Sequence, residues 1–139
     1  MHCKVYIIIP SDVYYTGVDA IVQYVEHLMR SRQFIYHIEY PYSYDSYDFG
    51  GRYDGLMKIF DQAFESYEYY HNLKEQERVL DNCARIDRYV DFMKSHDDRQ
   101  GCHDLFTLDQ SINSYNYEDF LAKLTEAPHE YIAYIDYHC

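Results

Sequence analysis

Lys4-Val5-Tyr6-Ile7-Ile8-Ile9 puts four β-branched residues in one short apolar run, and Pro10 stops it. A continuous run of this kind predicts a strand buried on both faces in the middle of a sheet. At the other end of the chain, Tyr131 to Tyr137 reads as a final strand that could pair beside the first. Between them, Val18, Ile21, Val22, Val25, Leu28 and Met29 recur at helical spacing, predicting a helix over about 17–32. Thr16 and Asp19 supply a capping pattern at its start. Phe34 to Tyr40 alternates like a strand, and Pro41 to Ser46 is a tyrosine-rich loop. Tyr47 to Phe49 reads as a strand that bends at Gly50-Gly51 and continues through Arg52-Tyr53.

Leu56 to Met93 is mainly helical in pattern, with Phe60, Ala63, Phe64, Tyr67 and Tyr70 on one helix and Leu80, Cys83, Ile86, Val90 and Met93 on another. Ser95 to Asp104 reads as a charged loop. Asn116 with Asp119 predicts a short capped helix carrying Phe120, Leu121 and Leu124. The expected order is β-α-β-β-α-α-α-β. This is an α+β fold, a small sheet of N-terminal, central and C-terminal strands with helices packed on it.

The chain's 139 residues suit a single domain spanning 1–139, and 47% hydrophobic content supplies a core. No apolar run approaches the roughly 20 residues that cross a bilayer. Pro10, Ser11 and Asp12 follow the first run too closely for an export signal. A cytoplasmic location is therefore expected, with Cys3, Cys83, Cys102 and Cys139 reduced. Twenty-four acids against twelve bases give a net charge of −12. Such a surface repels phosphate backbones and acidic membranes, so direct nucleic-acid or membrane binding is not expected. It favours a partner protein with a basic surface.

Nineteen tyrosines and no tryptophan are the second unusual feature. Tyrosine joins an apolar body to a polar tip and is enriched where proteins meet. It also serves as a half-buried aromatic in place of Phe or Trp. Tyr42, Tyr44, Asp45, Tyr47 and Asp48 form the densest tyrosine–acid stretch and are the candidate partner-binding residues. Self-association through tyrosines would make a homo-oligomer.

Gly50-Gly51-Arg52-Tyr53-Asp54-Gly55 is the most specific local signal. Its glycines allow a bend, and Arg52 brings a planar donor fork that suits a phosphate or carboxylate; an internal acid would serve equally. Asp81 to Arg88 reads as helical, which sets Arg85 and Arg88 at i, i+3 on similar faces. With Tyr53, Asp136 and His138, these arginines complete a candidate ligand pocket. If the terminal strands are antiparallel neighbours, His2, Cys3, His138 and Cys139 converge as possible metal ligands, although no metal-binding spacing supports them. His96, Cys102 and His103 form a second loose cluster. No nucleophile elbow, phosphate-binding glycine loop or cofactor motif is present, so no cofactor is expected and a binding role is favoured over catalysis.

The string Gly50 to Leu56 is similar to a signature of histidyl-tRNA synthetases, but the chain is too short for that catalytic domain. More broadly, the sequence resembles a set of small phage and prophage proteins. These share an opening hydrophobic strand (here Val5 to Ile9) and an aromatic strand running into Gly-Gly-Arg-Trp-x-Gly (here Tyr47 to Gly55). They close on Asp-Cys-His (here Asp136-Tyr137-His138), and a segment like Asp81 to Arg85 lies between. Tyr53 stands for the Trp and Tyr137 for the Cys. The resemblance implies a viral origin. Taken with the charge, it leads to the expectation of an accessory protein that inhibits a host defence system, of anti-CRISPR or other anti-defence type, by binding a host protein. The alternative is a pocket protein that binds or cleaves a nucleotide immune signal.

Overall fold

The computed structural model of the protein describes residues 2–38, 44, 46–50, 75–95 and 101–138. Strand β1 (His2–Ile9) leads into three helices, α1 (Ser11–Thr16), α2 (Val18–Met29) and α3 (Arg32–His37). Strand β2 (Ser46–Phe49), helix α4 (Glu75–Asp81), strand β3 (Cys83–Arg85) and helix α5 (Ile86–Ser95) follow. A hairpin of β4 (His103–Phe106) and β5 (Ile112–Tyr115), then α6 (Tyr117–Thr125) and β6 (Tyr131–His138), complete the described elements.

The strands form one mixed sheet in the order β2-β6-β1-β4-β5, with β3 also paired to β6. β1 and β6 run antiparallel along their whole length, from His2 opposite His138 to Ile9 opposite Tyr131. β1 runs parallel to β4, with Tyr6 beside Leu105. Side chains alternate across the pleat, so β1 sends Val5, Ile7 and Ile9 to one face and Tyr6 and Ile8 to the other. The first set packs with Ile21, Val25, Leu28 and Met29 of α2, Phe34 of α3 and Val79 of α4. The second packs with Tyr89, Val90 and Met93 of α5 and with Phe120 and Leu124 of α6. Helices therefore cover both faces, and the unbroken apolar run of β1 follows from that double burial. The α+β fold, the pairing of the terminal strands and the asparagine cap are all present; Asn116 accepts from the Asp119 N–H at 2.8 Å.

Several local expectations are corrected. Phe34 to Tyr40 reads as strand in the sequence, but Arg32–His37 is helical, and residues 39 and 40 lie outside the described residues. Ser31 caps it by accepting from the Phe34 N–H at 3.2 Å. The apparent alternation was not a burial pattern, since Phe34 is fully buried while Tyr36 is 68% exposed. Thr16 does not cap α2: its hydroxyl donates to the Asp12 carbonyl inside α1, a helix the sequence reading missed. The Leu80-to-Met93 helix is interrupted by β3, where Cys83 pairs with Ala133 and Arg85 with Tyr131. The charged loop ends early, because β4 starts at His103. The expected helix through Phe60 to Tyr70 lies outside the described residues.

Gly17 separates α1 from α2 at φ 132° and ψ 179°, a region that side chains with a Cβ rarely enter. A Cβ there would meet open space, so any cost of Gly17→Ala comes from the backbone. Loss of about 1–3 kcal/mol is expected, read as a shift in urea midpoint at unchanged slope. Asn116→Ala removes a cap in ordinary geometry and should cost about 1 kcal/mol.

Candidate functional site

The ladder registers set Asp48, Asp136 and Lys4 in one row across β2, β6 and β1. Two residues back from the Tyr6–Leu105 pair, His103 extends the row onto β4. All lie on the face that holds Tyr6 and Tyr134. Asp136 is only 5% exposed and His103 8%, whereas Asp48 is exposed. The Lys4 ammonium sits 5.5 Å from the Tyr6 ring centre. His103 packs edge-on to Phe120 at 4.7 Å. His138 is next along the same face of β6, beside Ser46 of β2.

The expected ligand pocket is only partly assembled. Asp136 and His138 do share a face with Asp48, but Arg85 does not join them. It pairs with Tyr131, five residues along β6 from Asp136, or about 17 Å at strand rise. Its Nε lies 3.1 Å from the Asp87 carboxylate and its Nη2 3.0 Å from His129 Nδ1. Arg85 is on a strand and Arg88 on the following helix, where it is exposed. The i, i+3 argument therefore fails. Arg52 and Tyr53 lie outside the described residues.

The terminal strands are antiparallel neighbours, as convergence of the metal candidates required. The pleat nevertheless divides those candidates. Cys3 faces the α2 side opposite Tyr137, while positions 2 and 138 belong to the other face. Cys139 lies outside the described residues. Among the described residues, no group of three His, Cys, Asp or Glu could hold a metal ion. Cys102 is exposed while His103 is buried under Phe120, so these neighbours do not act as a pair. His96 is outside the described residues.

Of the tyrosine–acid stretch, Tyr42 and Asp45 also lie outside the description. The Tyr44 hydroxyl donates to the Met29 carbonyl at 2.8 Å, and its ring packs on Phe34, Tyr47 and Tyr137. Burial raises the hydroxyl pKa of both Tyr44 and Tyr47 above that of free tyrosine. The Tyr44 and Tyr47 rings pack on the α2 face, and among the described members of the stretch Asp48 is the exposed one.

Sequence reasoning missed an acidic end of the sheet, at the carboxyl ends of β1 and β4. A cleft of about 260 Å³ lies there, lined by Ile8, Thr107, Leu108, Asp109, Lys123, Glu126 and Ala127. Asp109 accepts from the Thr107 hydroxyl, from the Ser111 hydroxyl at 2.7 Å and from the Ser111 N–H at 3.1 Å. These bonds, led by that from Thr107, lower its pKa from 3.8 to about 2. On the opposite face at the same end, Tyr14 stacks on Tyr131 at 3.6 Å, and the Tyr15 and Tyr131 hydroxyls are 2.7 Å apart. Glu130 accepts from the Ser11 N–H, and Tyr15 is 72% exposed. The Asp-Gln sequence after Leu108 was the available signal, but only the hairpin brings it to Lys123 and Glu126.

The class defined by these features is an α+β protein with one mixed sheet between two helical layers and an acidic exterior. Comparison with protein families, curated proteins and solved structures finds no match to this chain.

Asp109 titrates lower in the folded chain than unfolded, so its contribution is complete above about pH 3.8 and is lost as pH falls through about 2. Asp109→Asn should therefore lower Tm at pH 6 and flatten the drop in Tm between those two values, measured by thermal melts. Burial pushes the Cys83 thiol up to about 12. At pH 8 a thiol reagent should label exposed Cys102 within minutes and part-buried Cys83 far more slowly until the chain is denatured, as peptide mapping would show.

Proposed function

We propose that the protein acts by binding a partner protein with a basic surface, through the acidic, tyrosine-bearing end of its sheet. The supporting observation is the cleft at the carboxyl ends of β1 and β4. It offers the Asp109 and Glu126 carboxylates, the latter 3.8 Å from the Lys123 ammonium that also lines the cleft, beside apolar Ile8, Leu108 and Ala127. An incoming arginine or lysine would lay its aliphatic stem on these apolar residues and compete with Lys123 for the acids. The wider field agrees. Asp12, Asp19, Asp48, Asp91, Asp109, Glu118, Asp119 and Glu126 are exposed, against Arg30, Arg32, Arg88 and Lys94 among the described bases. A field of one sign accelerates encounter with an oppositely charged partner and excludes like-charged ones.

The resemblance to small phage proteins extends this reading to inhibition of a host defence factor whose basic groove holds nucleic acid. The nucleotide-pocket alternative is less well supported, because Arg85 is engaged by Asp87 and His129 at the far end of β6 from Asp136. No described helix is long and apolar enough to cross a membrane.

The test is titration with an arginine-rich peptide, followed by pull-down from host lysate with the same variants. Asp109→Asn combined with Glu126→Gln should weaken peptide binding by about tenfold or more and flatten its dependence on salt. Glu118→Gln, on the outside of α6, changes the charge elsewhere and should have little effect. Equal binding by the double variant and the wild type would remove the cleft from this account.

A further inference from the structure

Gln110-Ser111-Ile112-Asn113-Ser114-Tyr115-Asn116-Tyr117 is the longest run in the chain with no acid or base. The next longest, Val5 to Ser11, is largely the buried strand β1. The uncharged run instead contains β5, which ends the sheet with β4 on one side and, among the described residues, no strand on the other. The Thr107 N–H bonds the Ser111 carbonyl at 3.0 Å, which fixes the phase of the ladder. Leu105–Asn113 and His103–Tyr115 are then the pairs that exchange hydrogen bonds. The N–H and C=O groups of Ile112 and Ser114 point the other way, out of the sheet.

Edge strands are usually protected by a charge, a proline or a bulge within the strand. Ile112 to Tyr115 has no charge and no proline, and each residue pairs in register with β4. Helix α3 lies on one face of the hairpin, with His37 Nε2 3.3 Å from the Asp104 carboxylate and 3.4 Å from the Ser114 hydroxyl. That contact lies on a face of the hairpin, and among the described residues no strand takes the in-plane edge.

We propose that β5 is a self-association edge, at which two copies of this chain pair antiparallel about Asn113 and join their sheets into one. In that register Ile112 of one copy meets Ser114 of the other, and their outward N–H and C=O groups are mutually satisfied. Asn113 faces its own counterpart, and its side chain is exposed on the face opposite α3. A strand edge of this kind closes by a twofold axis and stops at two copies. Charge selects the occupant. Two copies at −12 repel each other, and β5 itself brings no acid to such a contact. Asp109 and Glu118 lie at its two ends, and Asp104 is one strand inward, engaged by His37 and the Ser114 hydroxyl.

Dimerisation should therefore strengthen with salt, the reverse of binding to a basic partner. Sedimentation velocity from about 10 to 500 μM would measure it, since a contact of a few strand residues falls below the standard interface size. Raising salt from about 0.05 to 0.5 M should lower the dimer Kd several-fold by screening the residual repulsion. Asn113→Glu sets like charges face to face and should raise Kd about tenfold or more, with an unchanged thermal melt. Gln23→Glu, the same charge change on the exposed side of α2, should leave Kd within about twofold. Paired residues of this type have Cα atoms about 4.5 Å apart, within the disulfide range. Asn113→Cys in a Cys102→Ser background should accordingly form a 113–113 crosslink, identified by peptide mass. A monomer at every concentration and salt, a dimer insensitive to Asn113→Glu, or a dimer weakened by salt would each overturn the proposal. So would the lack of the 113–113 crosslink in a sample that still dimerises.

Discussion

Pairing of β6 on both of its edges is the constraint on which the rest of the structure depends. One edge is taken by β1 along the full eight-residue length. The other is shared: β2 pairs with Ile135 to His138 and β3 with Tyr131 to Ala133. Between them the Gly50 N–H donates to the Tyr134 carbonyl at 3.2 Å. Beyond β3 the ladder continues into α5, where the Ile86 N–H donates to Glu130. Segments far apart in the chain thus meet on its last strand, so long loops must close before their contacts are gained. With both edges paired and both faces covered by helices, β6 is buried over six consecutive residues, Ile132 to Tyr137, of which only Asp136 is not hydrophobic.

That constraint also explains where polar chemistry is found. An eight-residue strand is about 26 Å long, longer than the short helices that cover it. The middle of the sheet, around Ile7, Ile132 and Tyr134, is therefore dry, and titratable groups collect at its two ends. One end holds Asp48, Asp136, Lys4 and His103 in a single row. The other holds Asp109, Glu126, Glu130 and the tyrosines around Tyr131. Arg85 and Asp136 belong to different ends because five residues of β6 separate the positions at which they pair.

What was legible in the sequence had a local cause. Burial on two faces wrote an unbroken β-branched run into β1, and the orphan N–H groups of a helix start wrote Asn116 three residues before Asp119. β3 had no such mark. Its three residues are extended because β6 offers an open edge there, and Cys83 and Ile86 still satisfy a helical period on either side. The alternation of Phe34, Tyr36 and Ile38 misled for the opposite reason. A short helix that buries only Phe34 needs no periodic pattern, and Ser31 sets its start. The acidic cleft could not be read at all, since Thr107 to Asp109 and Lys123 to Ala127 meet only through the hairpin and α6.

Part of the tyrosine excess has a structural cause, visible among the described residues, that composition concealed. Among the described tyrosines, Tyr6, Tyr89, Tyr117, Tyr134 and Tyr137 are buried, and only Tyr15 and Tyr36 are exposed. Tyr117 donates to the Met93 carbonyl at 2.9 Å and Tyr44 to the Met29 carbonyl at 2.8 Å. Both acceptors lie in the last turn of a helix, α5 and α2 respectively, where carbonyls have no partner within the helix. A phenylalanine would fill the same space but leave those carbonyls unpaired and buried, a cost of about 1–3 kcal/mol each. Tyrosine here joins the helical layers to the sheet and terminates the helices in one residue. The proposed binding role therefore rests less on the number of tyrosines than on the charge around Tyr15, Asp109 and Glu126, which no demand of the core explains.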